Sequence, residues 1–194
     1  MKKYLLIALL LVMAFAASAD ERGERRLERI SRHYSALGNY SLSFVMRAGG
    51  GEQKGELVVE GNNSYMRVAD TELFVVDSLR YEVRGSTKEI VVDRADVYEK
   101  EMLNPLHGFS GVKKDFDIVE TELEGRVAVR LVPKRQGETI YIITTPDGEG
   151  ISKIRYGSGD AAVEVEVKSM KRGGTRPPKF DKEQYKGFEL IDFR

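Results

Sequence analysis

The side chains best able to act as nucleophiles, bases or metal ligands are few and scattered. The chain has no cysteine and two histidines, His33 and His107. These lie far apart in sequence, and neither has a second His or Cys at the spacing a metal site needs. Gly108-Phe109-Ser110-Gly111 resembles a turn presenting a nucleophilic serine. Val112 stands where the second glycine belongs, however, and no strand-turn-helix context surrounds it. Gly49-Gly50-Gly51 and Gly157-Ser158-Gly159-Asp160 lack the following helix and lysine of a phosphate cradle, and hairpin turns account for them. Acidic neighbours such as Glu120 and Glu122 are ordinary where 32% of residues are charged. The residues therefore lead to no catalytic site, no metal and no cofactor, so the elements carrying them have to speak for function.

The first element is an export signal. Lys2 and Lys3 precede an unbroken apolar run, Tyr4 to Phe15, and Ala17-Ser18-Ala19 has the small-residue pattern of a cleavage site. The run is shorter than the roughly 20 apolar residues of a spanning helix. Residues 1–19 are thus expected to be a signal peptide, cleaved after Ala19. Residues 20–194 then form a single domain in the bacterial periplasm, with no cysteine at the cut to carry a lipid anchor. Removing Lys2 and Lys3 leaves 29 basic against 31 acidic residues, a net charge of −2 that steers toward no nucleic acid. Without disulfides, a chain of this length has to stand on its core. The sequons at Asn39-Tyr40-Ser41 and Asn62-Asn63-Ser64 fall to chance in an exported bacterial chain. The basic run from Lys171 to Arg176 suits either a solvated loop or contact with an acidic partner or anionic headgroups.

Periodicity gives one helix and then a long series of strands. Leu27, Ile30, Tyr34 and Leu37 recur at spacings of three, four and three, one face of an amphipathic helix ended by Gly38. Strands are expected at Tyr40–Arg47, Gly55–Glu60, Ser64–Ala69, Glu72–Asp77, Leu79–Arg84 and Glu89–Asp93, joined by short turns. The stretch from Asp93 to Phe109 breaks the pattern with a short helix stopped at Asn104-Pro105. Strands resume at Phe116–Glu122, Arg126–Val132, Thr139–Thr145, Ile151–Tyr156 and Val163–Met170. A connector, Gly173 to Pro178, leads to a tail rich in aromatics. About eleven strands exceed what one flat sheet carries, so a strongly curved antiparallel sheet is expected. The fold class is mainly β with a helical cover.

Strand patterning bears on function. Val163, Val165 and Val167 alternate with charged residues, a strand with one face in water. Leu73-Phe74-Val75-Val76, Ile90-Val91-Val92 and Ile140-Tyr141-Ile142-Ile143 are apolar on both faces. The second apolar face needs a cover, and the N-terminal helix and the Asp93–Phe109 segment are the candidates. Beneath them lies either an apolar space large enough for an acyl chain or a filled core. Periodicity leaves both open.

The order of these elements resembles the LolA family of periplasmic lipoprotein carriers. The resemblance rests on Tyr34-x-x-Leu37 ending the first helix, Tyr40 and Phe44 in the first strand, the Gly55-Glu56-Leu57 strand opening, and Val75-Val76-Asp77 leading into Tyr81. Asn104-Pro105 after the short helix also fits, and the tail Tyr185–Arg194 is similar to those of Bacteroidetes members. The resemblance implies an unclosed β-barrel of eleven strands under a helical lid. It further implies a monomer whose cavity receives the acyl chains of lipoproteins, taken from an ATP-driven inner-membrane release complex and passed to an outer-membrane acceptor. On this basis Leu57, Val59, Tyr65, Phe74, Val76, Tyr81 and Ile90 are expected to line the cavity. Leu27, Ile30, Tyr34, Met102, Leu103, Leu106 and Phe109 would form the lid. Family members carry an arginine that bonds the lid closed; Gly61 stands in that place here, with Arg67 the nearest alternative. A lipid-sensing or interaction module on the same scaffold, as in the RseB regulators, and a carrier of another amphiphile are the other readings.

Overall fold

The computed structural model of the chain describes residues 21–96, 100–102, 104–105, 108–174 and 176–194. The signal segment and its cut, and Leu103, Leu106 and His107, lie outside the described residues. A helix, α1, covers residues 21–37. Six antiparallel strands follow: β1 (Tyr40–Ala48), β2 (Gly51–Glu60), β3 (Asn63–Val68), β4 (Thr71–Val76), β5 (Leu79–Arg84) and β6 (Glu89–Arg94). After the central segment comes a short helix, α2 (Ser110–Asp115). Then come β7 (Phe116–Leu123), β8 (Arg126–Pro133), β9 (Ile140–Thr144), β10 (Ile151–Tyr156) and β11 (Val163–Arg172). The tail adds β12 (Glu189–Asp192).

The twelve strands of the described residues form one unclosed curved sheet, in the order β12-β6-β5-β4-β3-β2-β1-β11-β10-β9-β8-β7. Its hairpins follow from local chemistry. At the β7–β8 turn, Glu124 and Gly125 both take positive φ, 55° and 69°, the geometry that matches the strand twist. Pairing β1 with β11 closes a long loop of sequence and joins the two meanders. Register shifts between Ser43 and Phe44 there, a bulge that sharpens the bend. Gly55 sits opposite Phe44, and a β-carbon built on it would collide with the Phe44 ring, so the ring occupies the space that a side chain there would need.

The sheet buries a different face in its two halves. On the concave side, Tyr40, Phe44, Leu57, Val59, Ile118, Val129, Leu131, Ile140 and Ile142 form one cluster with α1 and α2. On the convex side, Val58, Tyr65, Phe74, Val83, Ile90 and Val92 form a second cluster, with Phe180, Tyr185 and Phe188 of the tail packed on it. Strand β4 lies at the crossover. Leu73 and Val75 pair with Met66 and Ser64 on the concave side, and Phe74 pairs with Tyr65 on the other. All three β4 residues are buried, which is why the strand is apolar on both faces. Beyond it, the concave side of β5 turns polar: Glu82 pairs opposite Leu73 and Arg80 opposite Val75, and the two side chains form an ion pair.

Candidate functional site

The concave cluster and its cover make the candidate site. Helix α1 lays Leu27, Ile30 and Tyr34 on it with 0%, 0% and 2% exposure. Phe109 of the central segment and Val112 of α2 are buried in the same cluster, and Met102 packs at its margin. A side chain with no accessible surface borders no space that a water-sized sphere can enter. Val59, Val129, Leu131 and Ile142 are likewise at 0%. The apolar interior around these residues is therefore filled by side chains in this state, and a chain-shaped guest needs the cover to move.

Polar contacts tie the cover to the sheet and its parts to one another. Helix α1 approaches β7 so closely that a β-carbon on Gly23 would stand 2.7 Å from the Ile118 carbonyl oxygen. Arg26 donates to Glu120 at 2.9 Å and to the Gly148 carbonyl at 3.2 Å. Lys113 on α2 reaches Glu24 and Glu28 of α1 at 3.1 and 3.0 Å. Its hydrogen bond holds the Glu28 carboxyl below its ordinary value. Deeper in, the Tyr34 hydroxyl accepts from the Ile151 amide at 3.4 Å, and its ring meets Tyr40 edge-on at 5.1 Å. Burial first, then the neighbouring Tyr34, raises the Tyr40 phenol, and its hydroxyl is buried with no hydrogen-bond partner among the described residues.

Two residues of the central segment fix its path. Glu101, 2% exposed, caps α2 from outside the helix: its Oε1 accepts from Ser110 Oγ and the Gly111 amide at 2.8 and 2.9 Å. Its Oε2 accepts from the Val112 amide at 3.0 Å. A carboxylate with both oxygens engaged stabilises the helix start and offsets its own burial. Asn104, 3% exposed, donates from Nδ2 to the carbonyl oxygen of Gly61 at 2.8 Å. This bond ties the central segment to the β2–β3 turn, at the position where the LolA resemblance lacked its arginine. Arg67 does not replace it. It lies on the convex side, paired with Glu56 at 3.0 Å, because Met66 beside it faces the interior.

The structure divides the seven residues expected to line one cavity. Leu57 and Val59 belong to the concave cluster, beside the helix residues Leu27, Ile30 and Tyr34 and with Phe109 and Met102. Tyr65, Phe74, Tyr81 and Ile90 lie on the opposite side under the tail, and Val76 shares the alternation of Phe74. The expectation of one connected pocket is corrected on this point. Strand-to-strand register sends Val58, not Leu57, opposite Tyr65, and a one-residue parity shift exchanges the faces. Facing the interior in their rows are Met66, Leu73 and Val75. Glu101 and Asn104 were missed as site residues. Asn104-Pro105 reads in sequence only as a helix stop, and Glu101 caps a helix nine positions on, beyond any local capping signature.

Other residues singled out by their chemistry have structural partners. Ser110 donates to Glu101, Glu120 accepts from Arg26, and His33 Nδ1 lies 3.6 Å from Glu149. The side-chain amide of Asn39 bonds Glu60 at 3.2 Å, and Arg176 reaches the same carboxylate at 3.3 Å. Among the described residues no group of three or more His, Asp or Glu side chains is gathered as metal ligands would be.

No protein-family model matches the sequence, and no curated protein matches it. Similar solved structures exist. An uncharacterized conserved protein from Thermus thermophilus superposes with a TM-score of 0.53 at 11% identity, over 87% of this chain and 97% of that one. The MucA/MucB complex of Pseudomonas aeruginosa gives 0.47 at 17% identity, over 86% of this chain and 61% of that chain. A putative outer membrane lipoprotein-sorting protein domain from Vibrio parahaemolyticus gives 0.43 at 8% identity, over 88% and 97%. The superposition on the Thermus protein shows that the same curved-sheet architecture recurs in another protein of nearly equal extent.

Proposed function

We propose that the chain is an exported periplasmic carrier that shelters the acyl chains of a lipoprotein between the concave face and its helical cover. The observation that carries this reading is an apolar face covered by α1, the central segment and α2. Separating Leu27, Ile30, Tyr34 and Phe109 from that face exposes four side chains at roughly 1.5–3 kcal/mol each. Sheltering an acyl chain returns ~0.8 kcal/mol per methylene, so one long chain is of the same order as closure. Cargo and cover can therefore exchange. In this reading the signal peptide is cleaved after Ala19, cargo comes from an ATP-driven inner-membrane release complex, and an outer-membrane acceptor receives it.

The test is binding of a fluorescent triacylated lipopeptide against the same peptide without acyl chains. Saturable binding of the acylated form alone, with blue-shifted emission, is expected. Equal binding of both peptides would replace the carrier by a protein-interaction module on the same scaffold. The filled interior of this state favours that second reading, since a module needs no internal space. Binding of neither would remove both.

A further inference from the structure

The convex face of β3–β6 carries an aromatic surface that the C-terminal tail covers. Its floor is aromatic: the Tyr65 and Phe74 rings lie 4.9 Å apart, and Tyr81 stacks on Phe180 of the tail at 4.2 Å and 16°. Phe180 also meets Phe74 edge-on at 5.6 Å and stacks with Tyr185 at 5.9 Å. Glu72 lies in this floor and accepts from Tyr65 at 2.5 Å and from Tyr185 at 2.8 Å. Burial, and then the bond to that carboxylate, raises both phenols. Beside the floor runs β6, to which the tail adds β12 in parallel from Glu189 to Asp192.

The tail is held mainly at its aromatic end. Along β12 the contribution is backbone pairing: Leu190 is 40% exposed and Phe193 just beyond it 65%. The path to the tail passes Gly173 and Gly174, both at positive φ, and Pro177-Pro178. Arg176, which touches Glu60 on the way, is 82% exposed at its side chain. Lifting the tail would bare an aromatic floor with a carboxylate in it and an unpaired edge of β6. Those two features together receive extended peptides by strand addition, with backbone bonds giving affinity and side-chain pockets giving specificity.

We propose that this face docks an extended segment of a partner protein, and that the C-terminal tail fills the site in cis as its mimic. The partner segment carries three aromatic side chains at the spacing of Phe180, Tyr185 and Phe188, the second with a hydroxyl for Glu72, followed by a short strand parallel to β6. A tethered mimic competes at an effective concentration of about millimolar, so partners gain access only by displacing it. This face is separate from the concave site, and the proposal does not depend on the cargo.

Two measurements on the full chain test it. In native-state hydrogen exchange, the β12 and β6 amides that pair are expected to exchange at least about a hundredfold faster than those of β1 and β2, through local opening. In the second, a labelled synthetic peptide of residues 177–194 is titrated into wild type and into the Phe180→Ser/Tyr185→Ser variant. The variant, its own tail weakened, is expected to bind at least about tenfold tighter than wild type. Equal protection of β12 and β1 overturns the proposal, even if the variant fails to fold. Equal or absent peptide binding by a folded variant overturns it as well. Dimers of the variant or of wild type at micromolar concentration would give the face to a second copy's tail and overturn the partner assignment.

Discussion

At the residue scale, Asn104 adds one polar tie to a cover held mainly by the burial of Leu27, Ile30, Tyr34 and Phe109. Its amide spans from the central segment to the Gly61 carbonyl, while its own Oδ1 is buried with no hydrogen-bond partner among the described residues. A net hydrogen bond contributes about 1 kcal/mol, which is roughly a fivefold change in a closed-to-open equilibrium. Asn104→Ala is therefore expected to speed uptake of an acylated probe several-fold while lowering stability by about 1 kcal/mol in denaturant titration. An unchanged uptake rate would remove Asn104 from the ties that hold the cover. The sequence disclosed the position but not the role. Asn-Pro reads correctly as the end of a helical stretch, and nothing local says that the amide bonds a turn 43 residues away in sequence.

At the scale of elements, every strand expected from alternation and turn chemistry is present, because each hairpin is specified by residues a few positions apart. What stayed hidden is non-local. Strand β12 was unreadable, since four residues in a polar-apolar tail carry no pattern stronger than a loop's, and its pairing with β6 spans about half the chain. The side on which each strand buries its residues was equally hidden for β3 to β6. Alternation defines two faces without saying which one meets the helices. The placement of α1 rests on a similar long-range contact, at Gly23. Alanine there gains up to about 1 kcal/mol of helix propensity. Its β-carbon, though, would stand 2.7 Å from a backbone oxygen of β7 that cannot swing aside. Overpacking against fixed backbone costs roughly 1–3 kcal/mol, so Gly23→Ala is expected to lower the melting temperature by several degrees. A neutral or raised melting point would mean that α1 stands off β7.

For the whole molecule, the outer surface of the β2-β1-β11-β10 region carries two groups of ion pairs, one of which spans the junction of the two meanders. Arg47 reaches Glu52 on β2 and Glu166 on β11 at 3.1 and 2.8 Å, while Lys168 also contacts Glu166. Further along, Arg155 pairs with Glu164 of β11 at 2.5 Å and with Glu124 of the β7–β8 turn at 2.9 Å. The hydrogen bond from Lys168, then that from Arg47, lowers the Glu166 carboxyl to about 2. A carboxyl whose value is depressed by folding contributes stability above its unfolded value, and the contribution is lost as pH falls through the folded one. For Glu166 the loss runs from the ordinary value of 4.5 down to about 2. Its side chain is 32% exposed, so solvent screening keeps the contribution to less than about 1 kcal/mol. Thermal unfolding followed from neutral pH downward should be level until about pH 4.5 and then decline. Glu166→Gln should be less stable than wild type at neutral pH and should converge with it by about pH 2, where the wild-type carboxyl is losing its charge. A carboxyl resonance of Glu166 that titrates near its ordinary value, or a Gln variant with an unchanged difference at every pH, would show that the ion pairs of Glu166 add nothing to the joining of β1 and β11.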